Sequence, residues 1–198
     1  MLRQRIKRVL GPSLWLWLKD LLYRPRGVAM GPNSWIFLPR KINQPHTLTL
    51  GAGCEILRDS YIWTRESGTP HVRIGDGTYI GRHFYLTAMD NITIGSRCVL
   101  SDYVYITDLA HGIDPDGGFI LHQPLESKGP VMIGDGCFLG FRAAILPGVT
   151  LGAHCVVGVN AVVTRSFPGY TMLAGAPARA IKTYSHELKQ WVAIEAQS

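Results

Sequence analysis

The sequence has no apolar run approaching the roughly 18 residues that a membrane-spanning helix needs, so an integral membrane protein is not expected. Nor is positive charge spread along the chain. The net charge of +6 is concentrated in residues 1–26, and the remaining residues are neutral as a whole. A general nucleic-acid-binding surface is therefore not supported. At 198 residues the chain suits one domain with appendages.

Cysteine is scarce, and its placement argues against both disulfide and metal chemistry. The four cysteines each stand four residues after an aliphatic residue of a repeat: Cys54, Cys98, Cys137 and Cys155. This regularity explains all of them as small buried side chains, not as a disulfide framework or a thiolate metal site. Reduced cysteines and the absence of a cleavable signal peptide predict a cytoplasmic location.

The dominant feature is a run of aliphatic residues at six-residue spacing. The run comprises Ile74, Ile80, Leu86 and Ile92, then, after a shift of two residues, Ile94, Leu100 and Ile106, and finally Ile133, Leu139, Ile145, Leu151, Val157 and Val163. Six is not a helical period, and glycine often follows the aliphatic residue, where we expect it to supply unusual corner dihedrals. The pattern predicts an all-β fold: a parallel β-helix with three short strands per coil and coils about 4.8 Å apart.

An N-terminal arm precedes the repeats, and we assign it to residues 1–38. Its apolar residues follow the spacing of an amphipathic helix, with Pro12 dividing it into two helical pieces. One interpretation is a helix that covers the open end of the first coil. The other is a membrane-surface helix, because basic residues flank Trp15 and Trp17, so that residues 1–26 contact the inner membrane.

The β-helix itself is assigned to residues 39–183, and a loop over 107–131 interrupts its period. This loop is hydrophilic and rich in turn formers, and a loop ejected from a rigid repeat usually has a function. Residues 184–198 form the C-terminal tail. Leu188, Trp191 and Val192 lie on or near one helical face, which predicts a short C-terminal helix.

Several motifs together resemble the hexapeptide-repeat O-acetyltransferases. They are the repeats, the segment Ile106-Thr-Asp-Leu-Ala-His111-Gly with its loop, Ile133-Gly-Asp-Gly-Cys-Phe-Leu-Gly, and Leu173-Ala-Gly-Ala-Pro-Ala-Arg-Ala-Ile181. This family includes galactoside and maltose acetyltransferases and enzymes that acetylate capsule, exopolysaccharide or O-antigen sugars. The resemblance covers roughly residues 72–183. It implies a left-handed parallel β-helix, a homotrimer, active sites between adjacent subunits, and acetyl-coenzyme A as co-substrate without a metal.

His111 is the candidate catalytic residue. Transfer of an acetyl group from a thioester to a hydroxyl requires a base, and a neutral imidazole can take that proton near pH 7. His83 is a candidate acceptor contact, at a position where the family often has asparagine, with an exposed corner residue as the alternative. Asp108 is expected to orient His111 by accepting a hydrogen bond from its other ring nitrogen.

The coenzyme A site is predicted by resemblance. Phe138, Phe141 and Val159 would face the cofactor arm, and Thr164, Arg165, Arg179 and Lys182 would lie near the nucleotide phosphates, to which cations are suited. A zinc site is not expected. The residue five after His111 is Asp116, so the His-x4-His pair of a gamma-class carbonic anhydrase is missing, and the other histidines lack ligand spacing.

The leading hypothesis is an O-acetyltransferase that acts on a sugar of a surface polysaccharide or its precursor, in the cytoplasm and peripherally at the inner membrane. Two alternatives stay open. The enzyme would instead N-acylate an amino sugar or acetylate a small molecule, or the chain would be a non-catalytic β-helix scaffold. The His111 loop argues against the scaffold.

Overall fold

A computed structural model describes residues 24–66 and 71–194. These residues form a parallel β-helix of about seven coils, in which the chain passes repeatedly through three sheets, here called A, B and C. The sheets are the faces of a triangular prism. Its edges are the AB, BC and CA corners, named after the two sheets that each one joins. The described residues contain no α-helix, and the all-β prediction is confirmed.

The strands are numbered in chain order. Sheet A contains β1 (Ala29–Met30), β4 (Leu48–Leu50), β7 (His71–Ile74), β10 (Asn91–Ile94), β15 (Val131–Ile133) and β18 (Thr150–Leu151). Sheet B contains β2 (Trp35–Ile36), β5 (Glu55–Ile56), β8 (Tyr79–Ile80), β11 (Val99–Leu100), β16 (Phe138–Leu139), β19 (Val156–Val157), β21 (Thr171–Gly175), β22 (Ala178–Ser185) and β23 (Gln190–Ala193). Sheet C contains β3 (Lys41–Ile42), β6 (Tyr61–Thr64), β9 (Tyr85–Ala88), β12 (Tyr105–Thr107), β17 (Ala144–Ile145) and β20 (Val162–Val163). A separate hairpin is formed by β13 (Leu109–His111) and β14 (Leu125–Ser127), and short 3₁₀ turns lie at Pro45–Thr47 and Ile120–His122.

The repeated aliphatic residues fill the interior of the prism. On sheet A, Ile74 pairs in register with Ile94, Ile94 with Ile133, and Ile133 with Leu151, and all four side chains are at least 98% buried. Because each such burial is worth about 1.5–3 kcal/mol, the stacked aliphatic side chains supply most of the driving force for folding. The six-residue spacing thus predicts the strands and their register correctly.

The glycines that follow the aliphatic residues serve a different purpose from the one predicted. None of them adopts a left-handed conformation; the positive φ falls two residues later, as at Gly77 and Gly136, both at 66°. At Gly75 an added Cβ would lie 2.5 Å from the backbone nitrogen of Ser96 in the next coil. Glycine is therefore needed because adjacent coils approach closely at this point, not because of its dihedral freedom.

The cysteines belong to a column of hydrogen-bonding side chains at the AB corner. The seven coils place there Ser34, Cys54, Thr78, Cys98, Cys137, Cys155 and Thr171. The first six donate their hydroxyl or thiol hydrogen to a carbonyl of the next coil, and Thr171 donates to a carbonyl of its own coil. All four cysteines are free and buried, as predicted, and burial raises the pKa of the Cys54 thiol.

The CA corner is where the repeat is interrupted. It holds the extra residues at Met89 and Asp90 that shift the period, and one coil later it holds the long loop. Strand β12 ends at Thr107 and the chain re-enters the β-helix at Val131, so the loop leaves and returns at one corner. The β13–β14 hairpin forms its stem.

Both ends of the chain differ from the prediction. Strands β1 and β2 lie within the segment assigned to the arm, so the β-helix begins before residue 39. The helical arm itself falls on residues 1–23, outside the described residues.

The predicted C-terminal helix is wrong: β22 and β23 pair antiparallel and extend sheet B, with Tyr184 directly opposite Trp191. An unpaired sheet edge offers backbone donors and acceptors that this hairpin satisfies. Over the described ranges, no helix is long and apolar enough to cross a membrane.

Candidate active site

His111 lies at the end of β13, where the loop stem leaves the CA corner. It pairs in register with Leu125 of β14, and the neighbouring Gly112 amide donates to the Pro124 carbonyl at 2.9 Å. Its side chain is exposed and makes no hydrogen bond with any residue in the described ranges. The backbone of His111 is thus fixed, while both ring nitrogens are left available to a ligand.

The loop beyond His111 is organised around one buried amide. Gln123 is only 8% exposed, its Oε1 accepts from the Asp114 amide at 3.0 Å, and its Nε2 donates to the carbonyls of Asp114 and Gly118. These bonds close the loop on itself, because a buried amide holds several backbone groups at once. The loop therefore has a defined shape of its own.

Asp108 does not orient His111, contrary to the prediction. Its carboxylate is fully buried, and its two oxygens accept hydrogen bonds from the amides of Met89 and Asp90 at 2.7 and 2.9 Å. Its backbone carbonyl accepts from the Lys128 amide. Burial raises the pKa of Asp108. Asp108 thus caps the extra residues of the preceding coil and anchors the base of the loop, instead of accepting a hydrogen bond from His111.

We expect Asp108→Ala to destabilise the protein by about 1–3 kcal/mol, because it strips two backbone amides of their acceptor. Urea unfolding followed by circular dichroism measures this change. In Asp108→Asn the pH dependence of the free energy of unfolding should change as well. Burial raises the pKa of Asp108 above the 3.8 of the unfolded chain, so the folded protein holds this proton more tightly. The free energy of unfolding of wild type, measured relative to that of Asp108→Asn, should therefore fall as the pH rises above 3.8. Equal unfolding midpoints for wild type and Asp108→Ala would contradict the assignment.

His83 occupies the BC corner, with a left-handed φ of 55°. Its ring stacks on Tyr103 at 4.5 Å between centroids, and Tyr103 contacts the edge of Phe141 at 5.5 Å. Its Nε2 is 3.9 Å from Oδ2 of Asp59. The structure therefore brings the predicted acceptor contact and one predicted cofactor contact to the same corner through a shared aromatic neighbour.

The predicted cofactor residues fall into two groups. Phe138 projects from the outer face of sheet B, and Phe141 and Val159 follow at the BC corner; all three are at least 41% exposed. Arg179 and Lys182 lie on β22 of the same sheet, opposite Ala174 and Met172. These five residues lie along one side of the molecule. Such an arrangement suits a long ligand that has an apolar arm and a negatively charged end.

Thr164 and Arg165 lie elsewhere. They follow β20 of sheet C and so lie at the CA corner, from which the His111 loop emerges two coils earlier. The Arg165 guanidinium lies 5.2 Å from the centre of the Phe167 ring. A single copy of the chain therefore does not bring His111 together with His83 and the sheet B group: the base is at one corner and the other residues at another.

Metal ligation finds no support in residues 24–66 and 71–194, where no three His, Cys, Asp or Glu side chains group around one point. One feature was missed by the sequence reasoning. A cavity opens at the BC corner of the first coils, with Arg58, Tyr79 and Arg82 among its lining residues. No local sequence motif predicts this cavity, because its lining residues come from separate coils.

Comparison with known proteins agrees with this architecture. A family profile described as the hexapeptide repeat of succinyl-transferase matches residues 130–165. WbbJ of Escherichia coli K12, provisionally named a lipopolysaccharide biosynthesis O-acetyl transferase, is 35% identical over 128 residues, which cover 59% of this chain and 62% of WbbJ. Galactoside O-acetyltransferase of the same organism is 30% identical over 128 residues, 59% of each chain. The alignments span less than two thirds of these relatives. The chain is therefore similar to hexapeptide-repeat acetyltransferases, and residues 130–165 carry the repeat itself.

Solved structures show the same fold. AntD, an N-acyltransferase from Bacillus cereus in complex with dTDP and 3-hydroxybutyryl-CoA, superposes with a TM-score of 0.67 at 18% identity, covering 87% of this chain and 89% of AntD. A hexapeptide-repeat acetyltransferase of Vibrio cholerae O1 biovar eltor, complexed with acetyl coenzyme A, gives a TM-score of 0.58 at 22% identity, covering 93% and 84%. At these identities the likeness concerns the fold.

Proposed function

We propose that the protein is an acetyl-coenzyme A-dependent O-acetyltransferase that modifies a sugar hydroxyl of a surface polysaccharide or its precursor. The observation that carries this proposal is the exposed imidazole of His111, held on a fixed hairpin with no hydrogen-bond partner among the described residues. The names of the relatives support acetyl transfer, and WbbJ supports a polysaccharide acceptor. The sequence-based predictions of a cytoplasmic location and of membrane contact through residues 1–26 stay predictions.

The proposed reaction is a direct transfer. His111 takes the proton of the acceptor hydroxyl as its oxygen attacks the thioester carbonyl. A backbone amide stabilises the oxyanion of the tetrahedral intermediate. When the carbon–sulfur bond breaks, the imidazolium returns the proton to sulfur, and coenzyme A leaves as the thiol. No covalent enzyme intermediate is needed, because the thioester is already activated.

We propose that each site is formed between two copies of the chain in a homotrimer. The separation of His111 at the CA corner from the BC-corner residues supports this, since a second copy can bring one corner against the other. The loop also presents large exposed apolar side chains, Ile113, Phe119 and Leu121, and such groups typically mark an interaction surface.

The function is tested by release of free coenzyme A thiol from acetyl-coenzyme A across a panel of sugars and oligosaccharides. Acceptor-dependent release is expected, with an ester in the product. An amide in the product would replace O-acetylation by the N-acylation alternative. A protein that neither releases the thiol with any acceptor nor binds coenzyme A by calorimetry would be the non-catalytic scaffold instead.

We expect Arg179→Ala to raise the Michaelis constant for acetyl-coenzyme A by roughly threefold to tenfold, because a phosphate loses an exposed cationic partner. The Michaelis constant for the acceptor should barely change. Initial rates with each substrate varied in turn measure both constants. Arg73→Ala, which removes an exposed arginine from sheet A, is the matched control and should change neither. A rise confined to the acceptor constant would refute this placement.

A further inference from the structure

The proposed reaction assigns no role to the cavity at the BC corner. Its volume is about 560 Å³, within the range that small-molecule sites occupy. Residues of the first four coils line it, including Phe37, Leu57, Arg58 and Tyr79. None of its lining residues is among those assigned to the base or to coenzyme A.

The first two coils differ from the later ones at this corner. The residue that follows the buried aliphatic is small in the third, fourth and fifth coils, as at Gly81 and Gly140, but large in the first two, where it is Phe37 and Leu57. These two side chains give the cavity an apolar wall. The cavity thus combines an apolar side with charged residues, a composition typical of small-molecule sites.

Both arginines in the cavity have a carboxylate nearby, but only Arg82 donates hydrogen bonds from its side chain to one. Arg82 donates from Nε and Nη2 to Oδ2 of Asp102 at 2.9 and 2.6 Å, and these bonds hold the pKa of Asp102 below its usual range. Arg58 has Oδ2 of Asp59 at 3.6 Å from its Nε, and its side chain is 62% exposed. No hydrogen bond within the described part of the chain uses the Arg58 guanidinium, so its donors are available to a ligand.

The cavity also adjoins the proposed acceptor contact. Arg58 and Arg82 occupy the same position in successive coils, and His83 follows Arg82 directly. Asp59, which follows Arg58, lies 3.9 Å from His83. Adjacent coils are about 4.8 Å apart. Because Oδ2 of Asp59 lies 3.6 Å from Nε of Arg58 and 3.9 Å from Nε2 of His83, an anion on Arg58 would lie close to His83.

We propose that this cavity binds the diphosphate of an acceptor sugar that is still attached to its carrier, with Arg58 pairing with the phosphate and His83 near the sugar. The inference rests on the proposed function, and it narrows the acceptor to glycosyl diphosphates. A guanidinium suits this role because it can donate two parallel hydrogen bonds to one phosphate. Nucleotide-linked and polyprenyl-linked sugars share this diphosphate.

The test measures binding directly by isothermal titration, with coenzyme A present at saturation so that its own phosphate site is filled. The probes are inorganic pyrophosphate, thymidine diphosphate and geranyl diphosphate. The wild type should bind at least one of them, and Arg58→Ala should weaken that binding about tenfold or more. Arg97→Ala, which removes an exposed corner arginine at the AB corner, should leave it within about twofold. Tighter binding of thymidine diphosphate indicates a nucleotide carrier, and tighter binding of geranyl diphosphate a lipid carrier.

The inference is overturned if no probe binds, if Arg58→Ala and wild type bind equally, or if a probe binds only in a parallel titration without coenzyme A. Acetylation assays separate this failure from failure of the proposed function. With glycosyl diphosphate acceptors, Arg58→Ala should lose about tenfold in kcat/KM, while its rate with free sugars should match that of wild type. If probe binding does not depend on Arg58 but acetylation still depends on His111, only the cavity assignment is refuted. If probe binding depends on Arg58 but no acceptor is acetylated, only the proposed function is refuted.

Discussion

His111→Ala should lower the turnover of acetyl transfer by a factor on the order of 10² to 10⁴, the usual contribution of a general base. The structure gives the reason why the loss should be purely catalytic: the side chain is exposed and makes no hydrogen bond to the described residues, so its removal leaves no buried group unpaired. Thiol release measures the rate, and thermal unfolding should show an unchanged midpoint.

His122→Ala is the matched control for the base. His122 is an exposed histidine of the same loop and contacts the Phe119 ring at 5.1 Å. If the loop merely needs an imidazole for its shape, both variants should lose similar activity. If His111 is the base, His122→Ala should retain a rate within a few fold of wild type. A folded His111→Ala protein with near-normal turnover would remove His111 from the mechanism.

Two inactive variants should restore activity when they assemble together. Val159→Trp places a bulky ring on the proposed path of the cofactor arm, at a position that is 62% exposed and can accept it without disturbing the core. If each site takes His111 from one copy and Val159 from its neighbour, random mixing with His111→Ala leaves about a quarter of the sites intact. Co-expression with two affinity tags and thiol release from the mixed assemblies measures the recovery.

Each variant alone must be folded and inactive for this experiment to decide. A site contained within one copy predicts no recovery, because every copy then carries one of the two defects. Recovery near a quarter of wild-type activity therefore distinguishes a shared site from a single-chain site. Assemblies of proven mixed composition that stay inactive would overturn the proposed arrangement.

The repeat made the fold predictable, because a six-residue period is imposed by coil geometry and is written directly in the sequence. Ile94 and Ile133 align in register although the whole loop separates them. The C-terminal hairpin was not predictable in the same way. The spacing of Leu188, Trp191 and Val192 fits a helix, and only the free edge of sheet B, built by distant residues, favours a strand.

The candidate site was predictable only in part. His111 stands at the loop base as expected, since the interruption of the period marks the place. Asp108 was misassigned because its partners are amides of the preceding coil, and a three-residue offset from His111 carries no information about them. The Arg58 cavity was missed because it depends on which side chains meet across four coils.

The column at the AB corner makes the chain suited to site-specific labelling. Serine, threonine and cysteine all make the same kind of hydrogen bond there, so the four thiols can be exchanged for hydroxyls without a new kind of contact. A cysteine-free background would follow. One thiol introduced at the loop tip, for example at the exposed Leu121, would then carry a fluorophore that reports loop movement during turnover.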